Sequence, residues 1–193
     1  MATLRRLDSS RLITDASGWR LGGVAKPTAD VDRRRDPGGD GSCGAGVDCG
    51  DAIDVHAYPG PWPRPRVRRR WFADGAWGTL RWLRDASRAS VLGEFGGVRY
   101  EVAGQTSGPF GWGYGQTAPP VDCAALAEAV ALLWRQVGNM SGLAACVYTQ
   151  LTDVEAEWNG LLTYGRMPKC PELLPARLAA EIRAVRQKLS SVP

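Results

Sequence analysis

Three short apolar runs constrain this chain more than anything else in it, because each reads as a strand and each is followed by a helical pattern. Ala52-Ile53-Asp54-Val55-His56-Ala57-Tyr58 alternates, with Ile53, Val55 and Ala57 on one face and Asp54, His56 and Tyr58 on the other. Ser90 to Phe95 and Ala145 to Gln150 are two further compact strands, and Leu12-Ile13 is a weaker candidate. Asp122, after Pro119-Pro120, is placed to cap a helix along which Leu126, Val130, Leu133 and Val137 recur until Gly138 stops it. Leu174, Leu178, Ile182, Val185 and Leu189 form a second stripe, with Pro175 tolerable in the first turn. Trp77, Leu80 and Leu83 suggest a shorter helix. Strand then helix, repeated, implies parallel strands joined by crossovers, and hence an α/β fold.

Four such units are half of an eightfold barrel. A closed (β/α)8 domain takes about 250 residues. The present 193 include an interruption and cannot comfortably close one. That interruption runs from Leu21 to Gly50: charged at Asp32 to Asp36, glycine-rich from Gly38 to Gly46, and almost without large apolar residues. It cannot bury enough surface to order itself and reads as a flexible insertion.

Elsewhere the composition is that of a globular chain, 44% hydrophobic and 23% charged. No apolar run approaches a membrane span, and Met1 to Arg11 lack the apolar stretch of a signal peptide, so no membrane association is expected. The formal charge of +4 is carried mostly by arginine, since only Lys26, Lys169 and Lys188 are lysines. Pro59 to Arg70 is basic enough to suggest nucleic acid. Prolines at 59, 61, 63 and 65 hold it extended, however, and a solvated loop is the better reading. Five cysteines, no Cys-x-x-Cys pair and the lone His56 argue against zinc, other metals or a full disulfide framework. Cys43 and Cys49 are spaced to bridge within a loop in an oxidising compartment; otherwise the cysteines are idle or buried thiols. No cofactor is expected.

In parallel-strand barrels, functional groups sit at the C-terminal ends of strands. Glu94 ends an apolar strand with Gly93, Gly96 and Gly97 around it, small neighbours that leave room for a ligand. Such a carboxylate can attack an electrophilic sugar carbon, act as a base, bind a hydroxyl, or merely cap a strand at the surface. His56 is either a donor in a pocket or a satisfied, half-buried histidine.

Three segments together resemble one family. Gly50 to Pro61 (Gly-Asp-x-x-Asp-x-His-x-Tyr-Pro-Gly-Pro), Val91 to Gly97 (Val-Leu-Gly-Glu-Phe-Gly-Gly) and Val147 to Tyr164 (Val-Tyr-Thr-Gln-x-Thr-Asp-Val-Glu-x-Glu-x-Asn-Gly-Leu-x-Thr-Tyr) are similar to the catalytic barrel of glycoside hydrolase family 2, the β-galactosidases, β-glucuronidases and β-mannosidases. Leu7 to Ile13 with Ala16 to Trp19 resembles the segment that precedes them. Order and spacing agree along nearly the whole chain apart from residues 21–50.

The resemblance implies a partial TIM barrel, about strands five to eight with their helices, and a retaining glycosidase site with Glu94 as nucleophile. In that mechanism two carboxyl groups stand about 5–5.5 Å apart: one attacks the anomeric carbon, and the other protonates the leaving oxygen and later activates water. The family's acid/base glutamate follows an asparagine. The two asparagines here, Asn139 and Asn159, precede Met140 and Gly160, so the Asn-Glu pair is absent.

By the same resemblance His56, Tyr58, Trp112, Asp153, Glu155 and Asn159 line a site for a β-linked carbohydrate, with Trp19, Trp112 and Trp158 as stacking candidates. Trp158 stands where the family has a small aliphatic residue. Gly165 stands where it has an aspartate, which removes an ion-pair partner for Arg166. The expectation is a hydrolase catalytic fragment, inactive alone. The alternatives are a non-catalytic carbohydrate-binding remnant and a half-barrel that pairs with a chain supplying the missing N-terminal half.

Overall fold

A computed structural model describes residues 2–14, 50–58, 88–114, 120–140 and 142–190. The insertion (apart from Gly50), the basic proline-rich stretch, the Trp77 helix, Trp19, Cys43 and Cys49 lie outside the described residues. The chain is mixed α/β: α1 (Ala2–Leu7), β1 (Ala52–Ala57), β2 (Ala89–Gly96), α2 (Cys123–Val137), β3 (Ala145–Thr149) and α3 (Leu174–Ser190). The strands form one open sheet in the order β1-β2-β3. Hydrogen bonds join strand start to strand start (Ala89 N–H to Asp51 O, Ala144 N–H to Ser90 O) and strand end to strand end (Gly97 N–H to Thr149 O), the signature of parallel pairing. The three expected strands form. Leu12-Ile13 does not: this segment makes a single antiparallel bridge, Thr14 to Gly50. Two apolar residues are too few to hold a strand.

The chain divides into two compact units. Among the described residues the first comprises 2–14, 50–56, 88–93 and 142–146, and the second comprises 57–58, 94–114, 120–140 and 147–190.

The first unit is organised by Asp51. Its carboxylate accepts two hydrogen bonds from the Arg5 guanidinium, at 3.1 and 3.0 Å, and a third from Ile13 N–H at 2.9 Å. Asp51 N–H donates to Ile13 O at 2.6 Å. A bidentate arginine pair fixes geometry as well as charge, so α1 and the segment after it are tied to the start of β1. Ile53, Leu92 and Leu143 are buried apolar residues of this unit.

The second unit rests on helix packing. Asp122 Oδ1 accepts from Ala125 N–H at 2.8 Å, the N-cap read from sequence. Leu126, Val130, Leu133 and Val137 are buried as their spacing requires, each contributing roughly 1.5–3 kcal/mol. Gly138 ends α2 in a right-handed conformation rather than the left-handed one usual for such a stop. Its small size serves α3 instead, because a Cβ there would meet Val185 Cγ2 at 2.9 Å. Along α3 Leu174 and Val185 are buried, Leu178 and Ile182 half-buried, and Pro175 occupies the first turn. Phe95 packs edge-on against both Trp134 (5.2 Å) and Tyr148 (5.4 Å), joining the ends of β2 and β3 to α2.

A disulfide joins Cys123, the first residue of α2, to Cys170, four residues before α3, and closes a separation of 47 residues. Sequence reading weighed only the Cys43–Cys49 bridge, because nothing in spacing alone brings residues 123 and 170 together. Cys146 is a free thiol, raised by burial above its ordinary range. No helix among the described residues is long and apolar enough to cross a membrane.

Closing a loop of that length restricts the unfolded chain by about 4 kcal/mol in the chain-entropy account. The Cys123→Ser/Cys170→Ser double variant is therefore expected to unfold at a lower denaturant midpoint than the oxidised chain. Equal midpoints in urea titrations of the two would exclude a stabilising bridge.

Candidate functional site

Glu94 occupies the sixth position of β2, and its Oε2 accepts a hydrogen bond of 2.7 Å from the hydroxyl of Tyr58, which follows β1 by one residue. The Tyr58 ring stacks on Tyr114 with centroids 3.9 Å apart, and Trp112 meets Tyr114 edge-on at 5.4 Å. Glu94, Tyr58, Tyr114 and Trp112 thus form one contiguous cluster within the second unit.

The glycines after Glu94 make this approach possible. Gly96 and Gly97 have φ of +108° and +67°, backbone that side-chain-bearing residues rarely adopt. A Cβ on Gly97 would lie 2.7 Å from the Tyr114 ring and 3.1 Å from the Tyr58 ring, and one on Gly96 would lie 2.6 Å from Tyr148. Sequence reading assigned the space beside these glycines to a ligand. The protein's own aromatic rings fill it. Gly93, in the first unit, behaves likewise, since its missing Cβ is replaced by the Asp54 carboxylate.

Residues 112–114 are a short extended ribbon. Tyr114 bridges to Val98 just after β2, and Trp112 bridges to Glu157. Alternation puts residues 112 and 114 on one face. Trp112 remains 45% exposed, so the indole is open to a ligand. Asn159, buried, donates from Nδ2 to Glu157 Oε2 at 3.1 Å and accepts from Gln150 Nε2 at 2.6 Å.

Glu94, Tyr58, Trp112 and Asn159 are therefore placed in one connected arrangement within the second unit, where Asp153 and Glu155 take other roles. Asp153 is buried, and its Oδ1 is occupied by Lys169 Nζ at 2.7 Å and Gly160 N–H at 2.8 Å. Lys169 Nζ also donates to Tyr100 O (2.7 Å) and Trp158 O (3.1 Å), which uses all three ammonium donors. Asp153 is thus a structural counter-ion rather than a sugar ligand. Glu155 is exposed, with its carbonyl accepting from the Ser107 hydroxyl, and it lines a shallow depression with Thr152, Asp153, Val154, Tyr164 and Arg166. His56 belongs to the first unit, where it is buried with Nε2 3.4 Å from Asp54 Oδ2.

Trp158 is core rather than a stacking surface. It is 2% exposed, lies under Gly111, and has the Arg99 guanidinium 5.4 Å from its ring. Sequence reasoning missed Tyr114, Gln150 and Glu157. The Glu155-x-Glu157-x-Asn159 alternation carried a signal for Glu157, and Trp112-x-Tyr114 carried one for Tyr114. Among the described residues no group of three or more His, Cys, Asp or Glu side chains is arranged to hold a metal ion.

The cluster's electrostatics follow from burial and carboxylate charge. Burial first, then the Glu94 hydrogen bond and charge, hold the Tyr58 phenol well above its ordinary range, with a Thr149 hydrogen bond pulling the other way. Burial, then the charges of Glu157 and Glu94, raise Tyr114. Both phenols remain hydrogen-bond donors at neutral pH. No family model and no curated protein matches this chain.

Two predictions follow from this geometry. Replacing Lys169 with Met leaves the buried Asp153 carboxylate uncompensated and is expected to cost about 3–5 kcal/mol in denaturant unfolding. Recovery of part of that loss in Lys169→Met/Asp153→Asn would identify the charge as the cause. For the tyrosines, the folded state keeps protons that the unfolded chain releases. Their contribution is complete below about pH 10 and is lost as pH rises through the raised folded values. The Tyr58→Phe variant should lose stability less steeply than the native chain above that pH, and parallel curves would refute the coupling.

Proposed function

We propose that this chain carries the nucleophile side of a retaining β-glycosidase site, on a partial (β/α)8 barrel of which β1, β2 and β3 are consecutive parallel strands. The observation that carries the reading is the Tyr58 hydroxyl held 2.7 Å from Glu94 Oε2 at a strand's C-terminal end. A carboxylate held by the Tyr58 hydroxyl keeps a defined direction, as a nucleophile requires. The resemblance of the flanking motifs to glycoside hydrolase family 2 supports the same assignment for Glu94, and the exposed Trp112 suits the apolar face of a sugar ring.

In the first half-reaction a Glu94 carboxylate oxygen attacks the anomeric carbon, the bond to the leaving oxygen breaks with its electron pair, and a glycosyl ester forms. Departure of an ordinary alcohol needs a proton from an acid. The sequence lacks the family's Asn-Glu pair, so hydrolysis of natural glycosides by this chain alone should be slow by the 10²–10⁴-fold, roughly, that general acid–base catalysis supplies. An acidic phenol needs no such help.

A dinitrophenyl 2-deoxy-2-fluoro-β-glycoside separates these requirements. Its phenolate leaves unaided, and the fluorine slows loss of the ester. Mass spectrometry after incubation with a panel of such reagents is expected to show one added sugar on the peptide containing Glu94, with no label on the Glu94→Gln variant. Absence of label with every sugar in the panel, while the glycosides still bind, would instead favour a carbohydrate-binding protein that does not cleave.

A further inference from the structure

Glu157 is a carboxylate with one oxygen held and the other offered. Oε2 accepts from Asn159 Nδ2 at 3.1 Å, and Asn159 is itself 1% exposed and fixed by Gln150 Nε2 at 2.6 Å. Among the described residues Glu157 Oε1 has no hydrogen-bond partner and no basic side chain pairs with this carboxylate. The backbone on either side of it is tied to Trp112: Trp112 N–H donates to Ala156 O at 2.8 Å, and Trp158 N–H donates to Trp112 O at 2.9 Å. Trp112 and Glu157 are bridge partners, and Tyr114, two residues on, carries the face across to Tyr58 and Glu94.

A buried amide chain that ends on a half-exposed carboxylate beside an exposed indole is costly to build for packing alone, since each buried amide must be satisfied. The arrangement suits a ligand with an apolar face and hydroxyl donors. Asn159 turns its amino group, not its carbonyl, toward Glu157, which speaks against a bare cation at this point. Glu94 is bonded to Tyr58, whose ring stacks on Tyr114, and Tyr114 meets Trp112, the bridge partner of Glu157, so a sugar on this face that carries its own carboxylate would meet two like charges.

We propose that Trp112 and Glu157 form the specificity wall of the sugar site, with Glu157 accepting a ring hydroxyl of a neutral β-pyranoside and the pair of carboxylates rejecting a uronate. The inference rests on the glycosidase reading of Glu94 and deepens it by naming the substrate class.

The test uses the full chain and the rate of Glu94 labelling by dinitrophenyl 2-fluoro-glycosides as a function of reagent concentration. The neutral glucoside, galactoside or mannoside that labels best should half-saturate at least about tenfold below the glucuronide, because hydrogen bonds to charged groups and like-charge repulsion are effects of that order. In Glu157→Gln the half-saturating concentration of the neutral sugar should rise about tenfold or more and the discrimination against glucuronide should shrink, with the limiting rate little changed. Analogues of that sugar lacking one hydroxyl, used on the native chain, provide the same readout without a variant that must fold: one of them should bind about tenfold more weakly.

Labelling of Glu94 with equal half-saturation by glucoside and glucuronide, or with no effect of Glu157→Gln in a folded variant, would overturn this inference and leave the nucleophile assignment standing. No labelling by any reagent together with no binding would overturn both.

Discussion

The arrangement around the candidate site depends on one buried ammonium. Lys169 Nζ gives its three protons to Asp153 Oδ1, Tyr100 O and Trp158 O, and so ties together three stretches of chain far apart in sequence. A cation taken out of water is stable only when paired and fully hydrogen-bonded. Here that requirement fixes the carbonyl of Trp158 and, through Asp153, the N–H of Gly160, the residues on either side of Asn159. Trp112 is then paired to the backbone flanking Glu157. The half-exposed groups at the surface inherit their positions from a buried ion pair.

A second constraint is steric. Consecutive left-handed glycines at 96 and 97 let Tyr58, Tyr114 and Tyr148 close over the end of β2, where any Cβ would collide with them. The result is an aromatic surround in which a phenol donates to Glu94 Oε2. Burial and the nearby carboxylate both favour the neutral phenol, so the donor is retained at neutral pH. Position and protonation of the donor have the same physical origin.

The parts of this structure readable from sequence are those governed by local periodicity. The three strands, the Asp122 cap, the apolar stripe of α2 and the Pro175 start of α3 follow from spacing and capping chemistry. The pairing of Glu94 with Tyr58 was reachable because both sit at strand ends that parallel pairing brings level. What sequence could not supply was competition for space and for partners. Asp153 reads as a polar loop carboxylate until the buried Lys169, sixteen residues on, claims it, and Trp158 reads as a stacking surface until Gly111 lets the chain pass across its ring. The Cys123–Cys170 bridge likewise depends on where α2 and α3 pack, which spacing does not encode.

These distinctions bear on how the site's chemistry is divided. On the proposed reading the nucleophile must be directed, and the Tyr58 hydroxyl directs Glu94. A group that reads a hydroxyl must be immobile yet retain an open lone pair, and Glu157 is held through one oxygen by a buried amide. The acid that a natural leaving group demands has a third requirement, a proton kept at neutral pH by an apolar surround or a neighbouring negative charge. On the proposed reading the two carboxylates suit attack and recognition, and the Asn-Glu pair that carries the acid in the resembling family is absent from this sequence.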